Sequence, residues 1–202
     1  DGCCVSVYLL SVATYTMQTL EIAKNIHWVG VLHATLRVFD VVFQTRFGST
    51  YNSYLILADK PTIIDCVHEK FAQEYLEKLR SLINLKDICY IVVNHTEMDH
   101  TGALGLLLKE TPNAQILSTK TASLFLKNIL HRDVKGKAVE DGESFSLGNK
   151  QLKFIHAPYW HWPDTMFTYV EEDRVLFPCD GFATHFCDER LFDDRVDDFT
   201  ED

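Results

Sequence analysis

Residues 88–100 read ICYIVVNHTEMDH, an unbroken apolar run that passes directly into a polar segment. Apolar runs such as residues 88–93 are typical of β-strands that are buried on both faces in an α/β protein. The polar segment contains four side chains able to bind a cation: His95, Glu97, Asp99 and His100. Because open α/β sheets place ligand sites at the carboxyl ends of their strands, this stretch predicts an α/β fold with a metal site.

The spacing within the polar segment predicts how these side chains are directed. Alternation along an extended loop would send His95, Glu97 and Asp99 to one side, and a bend toward a helix beginning at Gly102 would bring His100 toward them. One pair could then serve one metal and the other pair its neighbour. The alternative is a solvated polar loop in which Asp99 caps the helix, since His-x-Glu spacings also occur by chance.

Strands and helices surround this stretch in a pattern that predicts two sheets between helical layers. Hairpins are expected at residues 20–31 and 51–67, and an amphipathic helix at residues 68–85. We then expect, along the chain, a polar loop at 94–101, a helix at 102–109, a strand at 114–117 and a helix at 121–130. From residue 138 onward we expect short strands, with a turn at 148–149 and further strands at 151–155, 166–170 and 175–177.

A second polar motif lies at residues 159–164, which read YWHWPD, and Asp180 follows His161 by 19 residues (180 − 161). Asp180 is expected at the end of an apolar strand, where its carboxylate could bridge two cations. Imidazole and carboxylate ligands suit iron, manganese or zinc. On an alternating strand the neighbouring Cys179 would face away from Asp180, which favours a role as buried filler.

Composition limits the classes of function. A chain of 202 residues with 47% hydrophobic content is expected to form one domain, and its net charge of −10 disfavours nucleic acid and anionic membranes as partners. Its six cysteines include no C-x-x-C pair, which favours reduced thiols and a cytoplasmic protein. Residues 1–16 lack a basic leader and fall short of the roughly 20 residues of a membrane span, so they are interpreted as an extraneous or disordered segment.

Together the motifs resemble those of the flavodiiron proteins, also called A-type flavoproteins. The resemblance rests on His-x-Glu-x-Asp-His after a strand, on the HWPD motif and on Asp180. It extends over residues 18–202, including NIHWVG at 25–30, GSTYNSYLI at 48–56 and LFDD at 191–194. It implies that residues 17–202 form a metallo-β-lactamase-like αββα sandwich that is incomplete at the C-terminus, with the flavodoxin-like domain that binds FMN absent.

The resemblance also assigns roles within the site. It implies that His95, Glu97 and His161 bind one iron, that Asp99 and His100 bind a second, and that Asp180 bridges the two. The family has one further histidine ligand well beyond this aspartate, whereas this chain ends 22 residues after Asp180 (202 − 180).

Other residues lie near the expected site without matching a ligand of the family. Asp40 occupies a position where some members have a histidine near the pocket, and it should either hydrogen-bond to a ligand or cap a turn. His156 and His185 are expected to have supporting or surface roles.

In function, the resemblance implies an enzyme that reduces O₂ to water, NO to N₂O, or both, with electrons delivered through FMN. The electron donor would be rubredoxin or an NAD(P)H-linked flavin or rubredoxin reductase, and FMN would reach the irons from the partner in a head-to-tail homodimer. One alternative is a zinc hydrolase, but hydrolases of this superfamily usually have His-x-His-x-Asp-His, so Glu97 argues against it. Another is an inactive fragment in which the incomplete ligand set never binds metal.

Overall fold

A computed structural model describes residues 18–196 of the chain, so the prediction for residues 1–16 lies outside the described part. The strands are β1 (Leu20–Ala23), β2 (Ile26–Trp28), β3 (Val31–His33), β4 (Val38–Phe39), β5 (Phe43–Gln44), β6 (Ser49–Tyr51), β7 (Tyr54–Ile56), β8 (Thr62–Ile64), β9 (Tyr90–Val93), β10 (Gln115–Ser118), β11 (Gly136–Ala138), β12 (Ser144–Ser146), β13 (Gln151–His156), β14 (Met166–Val170) and β15 (Val175–Phe177).

The helices are α1 (Ala72–Leu82), α2 (Met98–Thr101), α3 (Leu104–Glu110) and α4 (Lys120–Leu130). Short 3₁₀ turns lie at Glu69–Phe71, Leu85–Asp87, Cys179–Phe182 and Asp193–Arg195. Within the part of the chain that is described, every helix is too short or too polar to cross a bilayer.

A seven-stranded mixed sheet has the order β1-β2-β7-β8-β9-β10-β11. Its first four strands are antiparallel neighbours, which confirms the two predicted hairpins, and β8 to β11 run parallel. The second sheet, β12-β13-β14-β15, is antiparallel throughout. The pairs β3-β6 and β4-β5 form two small ribbons.

The central strands of the large sheet are buried on both faces, and their alternate residues enter two different cores. Ile63 and Ile91 pack with apolar side chains of α1, α3 and α4. Ile64 and Val92 face the opposite way and pack against the four-stranded sheet. Three layers of the predicted αββα sandwich are therefore present in residues 18–196.

Two local predictions around the polar motifs are wrong. Residues 94–101 do not form a continuous loop, because Met98–Thr101 is a helical turn, and this turn rather than a loop bend directs His100. The strand before Asp180 ends at Phe177, so Asp180 and Cys179 lie in a 3₁₀ turn instead. Cys179 is half-buried with a positive φ of 41°, and alternation along a strand therefore does not set its direction.

Asn94, the first residue after β9, links the two sheets. Its side-chain amide donates to the carbonyl of Phe177 over 3.2 Å, and its side-chain oxygen accepts from the Thr168 hydroxyl over 2.6 Å. Its backbone carbonyl accepts from the Met166 amide over 2.9 Å. These contacts fix the end of β9 relative to β14 and β15, the strands that precede Asp180.

Candidate metal centre

Three connections at one edge of the sheets supply the predicted site residues. His95 and Glu97 follow β9 directly, and Asp99 and His100 lie in α2. His161 comes from the loop between β13 and β14, and Asp180 from the turn after β15. The structure thus brings all six predicted side chains into one cluster, although His161 and Asp180 are far from the others in sequence.

A first group of side chains surrounds the Glu97 carboxylate. Glu97 Oε2 lies 3.0 Å from Nε2 of His95 and 3.1 Å from Nε2 of His161. Asp180 Oδ2 lies 3.5 Å from Nε2 of His161 and 4.0 Å from Nε2 of His95. The ligand atoms of these four residues lie within 4.8 Å of one another, a separation that one metal ion can span.

A second group shares Asp180 with the first. Asp180 Oδ1 lies 3.0 Å from Nε2 of His100, and Asp99 Oδ2 lies 3.7 Å from the same nitrogen. These three ligand atoms also lie within 4.8 Å of one another. The two oxygens of Asp180 therefore face different groups, which is the arrangement that a bridging carboxylate requires.

The residues of this cluster fit a pair of cations. His95 is fully buried and His100 and Glu97 are nearly so, which excludes the alternative of a solvated loop. Asp99 Oδ1 is buried and has no hydrogen-bond partner within residues 18–196, and a buried polar atom left unpaired is costly unless an ion satisfies it. The donors are imidazole nitrogens and carboxylate oxygens, a set that suits iron, manganese or zinc.

The electrostatics of the cation-free cluster follow from its crowded charges. Burial alone would raise the pKa of Glu97, but hydrogen bonds from His95, Asp40 and His161 bring it to about 2. Burial lowers the pKa of His95, whereas its hydrogen bonds with Asp164 and Glu97 raise it. The hydrogen bonds have the larger combined effect, and the pKa of His95 rises to about 9. For Asp99, burial raises the pKa above its usual value. The raised pKa of His95 favours its protonated form, whose positive charge balances part of the carboxylate charge that a metal would otherwise neutralise.

Two buried carboxylates that the sequence did not assign support the cluster from behind. Asp164 Oδ1 lies 3.3 Å from Nδ1 of His95, and Asp65 Oδ2 lies 3.5 Å from Nδ1 of His100. Asp164 belongs to the quoted HWPD motif, and Asp65 directly follows strand β8. A carboxylate at the end of an apolar strand indicates a candidate ligand at Asp180, and Asp65 shows the same feature in the sequence.

Of the two roles that the sequence left open for Asp40, the structure favours an interaction with the candidate ligand Glu97. Asp40 lies in the turn between β4 and β5 with a positive φ of 46°. Hydrogen bonding with Glu97, burial and the charges of Glu97 and Asp99 raise the pKa of Asp40 to about 6. The turn therefore extends Asp40 over the cluster.

The other two histidines of interest have different surroundings. His185 Nδ1 lies 3.2 Å from the Ser49 hydroxyl, and its ring is 4.6 Å from that of Phe39. His156 is half-buried, and its Nε2 has no hydrogen-bond partner in the described residues. Neither is part of the two ligand groups found among residues 18–196.

A cavity of about 840 Å³ opens above the cluster. Glu97, Asp99, His100, His161 and Asp180 reach its floor. Aromatic side chains form much of its wall: Phe39, Phe43, Trp162 and Phe182. The polar cluster is thus accessible through a largely apolar opening.

Comparisons with known proteins agree with this arrangement. A family model described as ODP family beta lactamase matches residues 50–202. The chain is 42% identical over 182 residues to the Flavo-diiron protein FprA2 of Clostridium acetobutylicum and 45% identical over 182 residues to the anaerobic nitric oxide reductase flavorubredoxin of Salmonella arizonae. The chain belongs to the flavodiiron protein family. The predicted family and its metallo-β-lactamase-like fold are confirmed.

A solved structure supports the assignment at the level of the fold. The rubredoxin oxygen:oxidoreductase of Desulfovibrio gigas superimposes on 89% of this flavodiiron chain with a TM-score of 0.86 and 30% identity. The chain spans 46% of the Clostridium protein, 38% of the Salmonella protein and 45% of the Desulfovibrio chain, whereas 89% of its own length is covered in each case. It therefore corresponds to less than half of these relatives.

Proposed function

We propose that the protein acts as a di-iron oxidoreductase that reduces O₂ to water, NO to N₂O, or both, with electrons delivered through FMN. Two flavodiiron relatives carry names that support this choice, one a nitric oxide reductase and one a rubredoxin oxygen:oxidoreductase. We assign His95, Glu97 and His161 to one iron, Asp99 and His100 to the other, and Asp180 to both.

The observation that carries this proposal is the position of Asp180 between two groups of ligand atoms. One carboxylate directed at two groups could serve two cations at once, which a mononuclear site does not need. Paired irons would supply two adjacent electron donors and positive charge on both sides of a reacting molecule. Glu97 contributes a hard, anionic oxygen, which favours iron over zinc.

The residues around the cluster suit small uncharged substrates. Phe39, Phe43, Trp162 and Phe182 line the opening with apolar surface, whereas the floor is polar. The cavity of about 840 Å³ is much larger than a diatomic molecule and falls within the range that accommodates cofactors. This volume supports the further proposal that FMN approaches the irons here from the partner in a head-to-tail homodimer.

The electron donor and the cellular location are proposed from the resemblance to the flavodiiron family and from the composition of the chain. We propose rubredoxin or an NAD(P)H-linked flavin or rubredoxin reductase as electron donor, and the cytoplasm as the location. The FMN domain would lie outside residues 17–202, which we propose as the di-iron domain.

The proposal is tested on the protein at its full natural length, reconstituted anaerobically with Fe²⁺ and supplied with a reduced electron donor. Electrodes follow the consumption of NO and, separately, of O₂. We expect multiple turnovers with at least one of the two gases, and a loss of turnover in His161→Ala. As a matched control, Asp133→Asn removes an exposed carboxylate that pairs with Lys127 away from the cluster and should retain activity.

Two results would contradict the proposal. Tight binding of zinc together with thioester or lactam hydrolysis would favour the hydrolase alternative. Failure to bind any divalent metal would favour the inactive form.

A further inference from the structure

Asp65 has an unusual backbone conformation at a position directly behind the metal cluster. Its φ is 53°, in the left-handed region that residues other than glycine seldom occupy, and its side chain is buried. Such conformations cost free energy and persist only where the surrounding structure holds them. The contacts of Asp65 therefore indicate what this conformation maintains.

Each polar group of Asp65 has a defined neighbour. Its backbone amide donates to the carbonyl of Val92 over 2.9 Å, and its carbonyl accepts from the Ser53 hydroxyl over 2.8 Å. Oδ1 accepts from the backbone amide of Asn94 over 2.7 Å. Oδ2 is thereby left facing Nδ1 of His100 at 3.5 Å. That nitrogen is buried and makes no hydrogen bond within residues 18–196, so the Asp65 carboxylate is the charged group that faces it.

Asp164 has the same relation to the other buried histidine. It is fully buried, and its Oδ2 accepts from the Thr96 amide over 2.9 Å and from the Thr96 hydroxyl over 2.7 Å. These two bonds leave Oδ1 facing Nδ1 of His95 at 3.3 Å. In both pairs one carboxylate oxygen is anchored by the backbone of the metal-binding segment, and the other faces an imidazole.

We propose that Asp65 and Asp164 are positioning residues that hold the proton of His100 and of His95 on Nδ1, so that each Nε2 presents its lone pair to a metal. The geometry supports this because Nε2 of His100 faces Asp180 and Nε2 of His95 faces Glu97. A hydrogen bond at one ring nitrogen determines which nitrogen can bind a metal. The inference depends on the proposed metal centre and adds one supporting carboxylate to each half of it.

Asparagine substitutions test the idea with little change in shape. In Asp65→Asn the side-chain oxygen can still accept from the Asn94 amide, but an NH₂ group then faces Nδ1 of His100. Two donors cannot pair, so the imidazole should move its proton to Nε2 and lose its lone pair toward the metal. Asp164→Asn should do the same to His95. Loss of a group that supports a metal ligand typically weakens binding by about 10–100-fold, and we expect this at one of the two metals in each variant.

The measurements separate this role from a merely structural one. Anaerobic Fe²⁺ titration gives the number and affinity of sites, and ¹⁵N NMR of histidine side chains in the zinc-loaded protein identifies the protonated nitrogen. Denaturant unfolding of the metal-free variants tests the fold. We expect one weakened site, a changed ¹⁵N signature of one histidine, and nearly unchanged stability without metal. Asp133→Asn, at an exposed position remote from the cluster, should retain two strong sites and unchanged stability.

The outcomes distinguish the two proposals. If the unmodified protein binds no metal, the proposed metal centre is wrong and this inference falls with it. If it binds two ions and both asparagine variants bind them equally well with unchanged ¹⁵N signals, only the positioning role is overturned. Should Asp65→Asn fail to fold, Asp65→Gly can replace it, because glycine adopts the left-handed backbone conformation. If added formate restores the weakened metal site of Asp65→Gly, the positioning role of Asp65 is supported. If Asp65→Gly binds metal as strongly as the unmodified protein, that role is refuted.

Discussion

Asp180 Oδ1 lies 3.0 Å from Nε2 of His100, although the two residues are 80 positions apart in the chain. The second oxygen of the same carboxylate lies 3.5 Å from Nε2 of His161. One side chain therefore belongs to both ligand groups, and the chemistry of the site depends on it more than on any other ligand.

Replacing Asp180 should disturb both metals. In Asp180→Asn the amide oxygen can serve one cation, but the NH₂ group that takes the place of the other oxygen cannot bind the second. We expect the metal content to fall from two ions to at most one, measured by elemental analysis after anaerobic loading with Fe²⁺. Retention of two ions with unchanged affinity would mean that Asp180 does not bridge.

Glu97 should control the choice of metal. Glu97→His replaces an anionic oxygen by a neutral nitrogen next to His95 and His161. Because the hard oxygen that favours iron is then lost, the general order of affinity, in which zinc binds more tightly than ferrous iron, should prevail. We expect the ratio of zinc to iron bound under equal competition to rise in this variant. A ratio equal to that of the unmodified protein would show that the residue at position 97 does not select the metal.

Removing the metals should destabilise the fold. Without cations, the carboxylates of Glu97, Asp99 and Asp180 repel one another across a few ångströms, and a ligand that binds only the folded state stabilises it by mass action. At a metal concentration of one hundred times Kd, we expect a contribution of about 2.7 kcal/mol per site, lost on adding a chelator. Urea unfolding with and without chelator measures this, and the difference should shrink in Asp180→Asn.

Two glycines provide a matched test of the packing. A Cβ at Gly30 would overlap the carbonyl oxygen of Tyr51 and lie 2.7 Å from the indole nitrogen of Trp28, so Gly30→Ala should destabilise the protein by about 3 kcal/mol. In helix α3, a Cβ at Gly105 would meet only Leu130 at 3.7 Å. Gly105→Ala should therefore stabilise by about 0.4–1 kcal/mol, because alanine restricts the unfolded chain. Equal effects in urea unfolding would contradict the packing described here.

The strands and long helices could be predicted because their signals are local. Buried strand β9 is a continuous apolar run, and α1 has apolar residues at helical spacing, so each can be recognised without its neighbours. The hairpin between β12 and β13 likewise follows from Gly148 and Asn149 at its turn. Helix α2 was missed because four residues are too few to show a period.

The candidate site could be predicted only in part, for a related reason. Its six candidate ligands lie in two short motifs and at Asp180, where residue type and strand position are visible in the sequence. The position of Asp65 at the end of β8 is visible in the sequence, but the nitrogen of a distant imidazole that Asp65 or Asp164 faces is not. That relation exists only in three dimensions, and residue spacing does not encode it.

The bridge that Asn94 makes between the two sheets ties completion of the candidate site to the docking of those sheets. His95 follows β9 in one sheet and Asp180 follows β15 in the other, so the two ligands meet only when the sheets are docked. A cation arriving before the sheets dock would find half a site. Tight iron uptake should therefore be among the last steps of maturation, and a newly synthesised chain that retains its metal has already joined its two sheets.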